Sequence, residues 1–155
     1  MKRIILMGAI GCGKTTLCQA LLGKTLVYNK TQAIEFHPEM IDTPGEFILH
    51  RQYYQALSVT AAEADVIGLV QSALDQEQIF SPGFGRVFPK KVIGIITKVD
   101  LVKESRALTQ VRNQLVLAGA TQLFEVSAVE NIGLEAFIHY LRKDLKKGEE
   151  NEDLY

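Results

Sequence analysis

A chain of 155 residues and 17.2 kDa, 47% hydrophobic and 23% charged, has the composition of one soluble globular domain large enough to bury its own core. Its formal net charge of −1 supplies no basic field for nucleic acid or an anionic membrane, so neither is an expected partner. Cys12 and Cys18 make no disulfide framework, and the apolar run from Ile4 to Met7 is broken at Gly8, too short for a secretion signal or a membrane span. A reduced, cytoplasmic protein, monomeric or weakly dimeric, is expected.

Apolar runs and helical patterns alternate from end to end. Residues 3–7 read as a buried strand and 14–22 as a helix. Between them and a strand at 40–41 leading into Asp42 there is room only for a short edge hairpin, residues 33–36 turning at His37 and Pro38. A helix is predicted over 48–63, a strand over 66–70, and a compressed crossover over 71–91. There Ser81-Pro82 caps a short helix whose apolar face is Phe84, Val87 and Phe88. A strand at 92–97 is followed by a helix at 104–118, where Leu108, Val111, Leu115 and Ala118 recur at helical spacing and Gly119 supplies the stop. A strand at 123–126 and a helix at 134–146 complete the order. Near-continuous Ile/Leu/Val strands alternating with helices argue for a parallel, doubly wound sheet covered on both faces. Arg142, Lys143, Lys146 and Lys147 read as cations placed near a helix C-terminus rather than as a nucleic-acid patch. The domain is expected over 1–147, with 148–155 as a polar, acidic tail.

The chemistry lies first in Gly8-Ala9-Ile10-Gly11-Cys12-Gly13-Lys14-Thr15, a complete GxxxxGK[ST] between a strand and a helix. Its glycines let backbone amides and a helix N-terminus converge on phosphate oxygens, with Thr16 on the same first turn. Lys14 would bridge the outer phosphates, and the Thr15 hydroxyl would ligate Mg2+. Asp42-Thr43-Pro44-Gly45-Glu46 follows one strand later. Asp42 can hold the metal through water, and the Gly45 amide can meet a γ-phosphate. In the loop between the first helix and the Asp42 strand, Thr31 is the best candidate to complete the metal shell, with Thr25 as its competitor.

Thr97-Lys98-Val99-Asp100 and Val126-Ser127-Ala128 end the last two strands. At these places the chain resembles the translation-factor-related and Ras-like GTPases, which carry [NT]KxD and a serine-alanine loop. The resemblance implies that Asp100 accepts the guanine N–H protons, Lys98 lies over the base, and Ser127 and Ala128 bring an amide to the guanine oxygen. A buried carboxylate of this kind rejects adenine by losing its partners. Thr97 stands where asparagine is commoner, which removes one tethering amide. Glu46 occupies the position of the water-orienting glutamine, a carboxylate that can act as a general base but whose charge opposes a γ-phosphate. Ile10 crowds the approach of an inserted arginine, so slow intrinsic turnover is expected. His37, His50 and His139 have no ligand spacing. Cys12, at an anion-binding loop, is either a lowered-pKa thiol or simply a small residue that fits there.

The run Lys30-Thr31-Gln32-Ala33-Ile34-Glu35, then Ile41 to Glu46, Ala64-Asp65-Val66-Ile67 and Ser81-Pro82-Gly83-Phe84, resembles the EutP/PduV group. These are small P-loop proteins of ethanolamine and propanediol utilisation in bacteria. The resemblance implies a GTPase-like protein serving microcompartment metabolism, with shell proteins as partners. It also offers an ATP-dependent acetate kinase or a non-catalytic shell-associated module. The expected fold is a single α/β P-loop NTPase domain, a reduced Ras-like sheet. The expected ligands are Mg2+ with GTP or GDP, and ATP or ADP in the kinase alternative. For a kinase, Arg51 and Arg86 are the cations on hand for an acceptor carboxylate. Lys14, Gly45 and Glu46 are the expected catalytic set.

Overall fold

A computed structural model describes residues 2–23, 33–37 and 39–143 of the protein. Thr25, Thr31, Lys146, Lys147 and the acidic stretch 148–155 lie outside the described residues, as does Pro38.

The described chain folds as β1 (Ile4–Gly8), α1 (Lys14–Leu21), β2 (Glu35–Phe36), β3 (Met40–Asp42), α2 (Tyr54–Ala61), β4 (Val66–Ser72), β5 (Lys91–Thr97), α3 (Ser105–Ala118), β6 (Leu123–Glu125) and α4 (Leu134–Arg142). The strands form one sheet in the order β2-β3-β1-β4-β5-β6. Only β2 runs antiparallel, on β3; the other neighbours are parallel. This is the α/β P-loop NTPase architecture that the alternating pattern specifies.

Alternation along each strand sorts the core into two layers. Ile5, Met7, Ile67, Leu69 and Ile96 face α2, α3 and the aromatic trio Phe80, Phe84 and Phe88. Ile4, Leu6, Val66, Val70, Ile93 and Ile95 face α1 and α4 through Leu17, Phe137 and Leu141. With both faces covered, the central strands tolerate no polar side chain until their C-terminal ends. There Asp42, Gln71, Ser72 and Thr97 stand buried at one rim of the sheet, where open α/β sheets take their ligands.

Three segments differ from the sequence expectation. Residues 48–63 are not one helix. A 3-10 turn at Gly45–Ile48 is followed by extended backbone at His50, a second 3-10 turn at Arg51–Tyr53, and only then α2. Stacking of Phe47 on Tyr53, at 4.4 Å between ring centres, and the Tyr54 hydroxyl donating to the Ile48 carbonyl at 3.2 Å fold the segment back on itself. The crossover holds a single 3-10 turn, Phe84–Val87, entered through Gly83 at φ +77°. Helix α4 ends at Arg142, where Lys143 turns to extended backbone, and does not run on through Lys143 as expected.

Candidate functional site

β1 runs straight into the glycine-rich loop. Gly11 at φ +82° and Gly13 at φ +97° adopt the left-handed backbone that turns the chain into α1. Gly13 caps α1 without a side-chain acceptor, so the helix N-terminus meets the loop with no side-chain cap of its own. Ile10 and Gly11 are exposed at the crest, Ala9, Gly13 and Thr16 are half-buried, and Gly8, Cys12 and Lys14 are buried. Lys14, the first residue of α1, keeps only 5% of its surface.

Beside it, the Thr15 hydroxyl donates to Asp42 Oδ2 at 3.0 Å. Asp42 is fully buried at the end of β3, opposite Leu6 of β1 in the sheet register. A hydroxyl and one carboxylate fit Mg2+, which needs few protein oxygens when phosphates and waters complete its shell. They do not form a closed protein cage, and no cluster of three acidic, histidine or cysteine ligands exists among the described residues. The proposed third contributor, Thr31, lies outside them. Thr43 anchors the exit of β3 by donating to the Leu6 carbonyl at 2.7 Å. The next turn brings Gly45 against the loop so closely that a Cβ there would lie 2.4 Å from the Ile10 nitrogen. Glu46, half-buried, follows directly.

The third part is a cavity of about 270 Å³ on the other flank of the loop, where Gly13, Thr16, Thr97, Lys98, Asp100, Ser127 and Ala128 meet. Lys98 takes a left-handed backbone, φ +60°, and its Nζ donates to the Gly11 carbonyl at 2.7 Å. The Thr97 hydroxyl donates to the Cys12 carbonyl, and Thr97 packs on Gly13. The tether expected to be missing with asparagine is therefore supplied by a hydroxyl. Ser127 is buried; its Oγ accepts from the Glu130 amide at 3.0 Å, and its backbone pairs with Ile132. The Val99 amide donates to the Val126 carbonyl at 3.3 Å, joining the two loops. Segments far apart in sequence thus meet around one cleft.

The family model described as Ethanolamine utilisation - propanediol utilisation (PduV-EutP) matches residues 1–143. The chain belongs to the PduV-EutP family. It is 46% identical to "Propanediol utilization protein PduV" of Citrobacter freundii, over 91% of this chain and 93% of that protein. It is 35% identical to "Probable acetate kinase EutP" of Escherichia coli K12, over 98% and 96%. The like-named Salmonella typhimurium protein is 37% identical, over 91% of this chain and 89% of that protein. Among solved structures, bacterial selenocysteine-specific elongation factor EF-Sec superposes with a TM-score of 0.68 at 21% identity, a likeness of fold. That match covers 94% of this chain but 29% of the elongation factor.

In this PduV-EutP chain several sequence expectations change. Burial pushes the Cys12 thiol up, outweighing the lowering by Lys14, so it is a packed thiol and not an activated one. Arg86 lies with Lys91, at the start of β5, at the end of the sheet opposite the loop, and cannot serve a phosphate acceptor there. Arg51 is exposed two turns beyond Gly45. His50 and His139 are exposed, and His37 lies 3.9 Å from Glu35. Sequence reasoning missed Gln71. It is buried at the end of β4 and donates to the Asp75 and Glu77 carbonyls and to Gln114 Oε1, at 3.0, 3.2 and 2.7 Å, which pins the crossover to α3. A lone glutamine extending an apolar run was the available signal.

Proposed function

We propose that this protein binds a guanine nucleotide with Mg2+, hydrolyses GTP slowly, and serves propanediol utilisation. The observation that carries the proposal is the cavity beside the phosphate loop in which Asp100, Lys98, Ser127 and Ala128 converge. A loop for phosphates alone is common to ATP and GTP proteins. Asp100 is exposed in the structure and not buried as expected, so it distinguishes them only once a bound base covers it at the mouth of the pocket, where adenine offers it no matching pair of N–H donors. The higher identity to the propanediol protein than to the ethanolamine proteins supports that branch.

The residues divide the work by charge. Lys14, buried at the start of α1, would neutralise the transferring phosphoryl oxygens, and the α1 amides would hold the phosphates that precede it. Thr15 and Asp42 would hold Mg2+, which supplies charge neutralisation when bound. The Gly45 amide would register a third phosphate. Glu46 can take a proton from water, but its negative charge beside the phosphates raises the barrier. Ile10, 46% exposed and wedged against Gly45, closes the path an arginine from another protein would use. Slow turnover without an arginine donor follows. The shell of the microcompartment is the partner the family resemblance offers, and the cytoplasm the place.

Three relatives named probable acetate kinase give a second reading, phosphoryl transfer to acetate. Among the candidates named from sequence it has Arg51 for the acceptor carboxylate. Asp100→Asn separates the two. Under the guanine reading this variant loses GDP affinity and gains xanthosine diphosphate affinity, while GTP with acetate yields phosphate and no acetyl phosphate. An Asp100→Asn protein with unchanged base preference, together with acetyl phosphate formed from ATP, would put the kinase first.

A further inference from the structure

Away from the nucleotide cleft, a groove of about 600 Å³ opens at the start of β5, between the Phe84–Val87 turn and the C-terminus of α3. It lies at the opposite pole: Lys91 and its register partner Val66 begin their strands there, whereas the phosphate loop follows the end of β1. Arg86 and Lys91 are exposed and Lys90 is half-buried, and no acidic residue lines the groove. The ion pairs of the described residues are Glu35–His37 and Arg112–Glu125, so none involves these three cations. The nearby Asp65 carboxylate accepts from the Arg3 amide at 2.9 Å. In a chain of net charge −1 this is a local concentration of positive charge with no ion-pair partner among the described residues.

The groove is also apolar. Phe88, Val92 and Ala120 form its floor, and Val116 on its wall is 54% exposed. Its walls are fixed. The Gly83 amide donates to the Leu117 carbonyl and the Thr121 amide to the Val92 carbonyl, both at 2.9 Å. Gly119, at φ +118°, packs on Gly85. A preformed apolar trough rimmed by three cations suits one class of occupant.

We infer that this groove docks an acidic segment of a partner protein, one that carries leucine-like side chains between its carboxylates. Apolar side chains fill the floor and carboxylates pair with Arg86, Lys90 and Lys91. A nucleic acid would need a wider basic field and has no use for an apolar floor. Because the groove lies at the pole away from the phosphate loop, docking is insensitive to nucleotide, and the inference stands apart from the guanine reading.

The test is an NMR titration of the 15N-labelled full chain with a synthetic glutamate-rich peptide carrying spaced leucines. Shifts are expected at amides 83–88, 90–92 and 116–121 and not in the phosphate loop. Arg86→Glu with Lys91→Glu should weaken binding at least ~10-fold, with the urea midpoint unchanged. Equal binding by the double variant, or by a peptide with glutamine for glutamate, would overturn the inference. So would tighter binding of phosphatidylserine vesicles or poly(U) RNA at the same residues. Peptide binding that appears only after deletion of residues 148–155 would make the chain's own acidic stretch the occupant, which also overturns it.

Discussion

Thr97→Val removes one hydroxyl and keeps the side-chain volume, so it isolates the bond between the last strand before the base pocket and the phosphate loop. Thr97 is 5% exposed and its hydroxyl donates to the Cys12 carbonyl. Valine is as good a strand residue as threonine, and the local conformation should survive. What is lost is a partner for a buried carbonyl, which costs about 1–3 kcal/mol. At an m value of about 2 kcal/mol/M, that loss appears as a urea midpoint lowered by roughly 0.5–1.5 M without nucleotide. The same bond holds the Lys98–Asp100 loop in register with Gly11–Gly13, so GDP affinity should fall by ~5- to 30-fold, the equivalent of 1–2 kcal/mol. Thr97→Ser, which keeps the hydroxyl, should recover most of the affinity. A Thr97→Val protein with the midpoint and the GDP affinity of the wild type would refute the idea that this hydroxyl joins the two halves of the cleft.

Lys14→Ala should weaken GDP and GTP-analogue binding at least ~10-fold, the loss of a charge-assisted contact of about 1.5–3 kcal/mol, as read by fluorescent-nucleotide titration; affinity within a few fold would remove Lys14 from the phosphate site. Gly45→Ala sets a methyl 2.4 Å from the Ile10 nitrogen, which no side-chain rotation relieves. The turn must shift, at about 1–3 kcal/mol, and the ratio of GTP-analogue to GDP affinity should drop; an unchanged ratio would mean that Gly45 does not sense the third phosphate. Burial holds the Cys12 thiol neutral above its ordinary value of 9.0, so the unfolded state loses its proton first as pH rises. Stability is therefore full below about pH 9 and declines above it, and Cys12→Ala should flatten that decline in urea midpoints measured at pH 8 and 10. An equal slope in both proteins would contradict the burial argument.

The legible parts of the sequence were those in which one local rule acts alone. Runs of Ile, Leu and Val over residues 4–7, 66–70 and 92–96, broken only by Met7, Gly68 and Gly94, suit a sheet covered on both sides, and the strands appear there. The glycine-rich loop was legible because its spacing, strand and helix are contiguous. The loops at Thr97–Asp100 and Ser127–Ala128 were legible only through their resemblance to loops of Ras-like and translation-factor-related GTPases, since their convergence depends on the β5–β6 pairing. The break at His50 was not legible. A helical pattern over 48–63 is overridden by Gly45 packing on Ile10 and by Phe47 stacking on Tyr53, contacts that reach across the fold or back along the chain. Thr97 was read as a loss relative to asparagine because a hydroxyl's partner, a carbonyl 85 positions away, is set by the tertiary structure. Gln71 has the same cause: its acceptors on the crossover and α3 are assembled by the fold.

Base selection is the claim on which the functional account turns, and direct calorimetric titration of the nucleotide-free protein with GDP and with ADP, in Mg2+, measures it. The pocket bounded by Lys98, Asp100 and Ala128 predicts GDP tighter than ADP by at least ~100-fold, because adenine leaves the Asp100 carboxylate without its N–H partners. ADP bound as tightly as GDP, or more tightly, would contradict it.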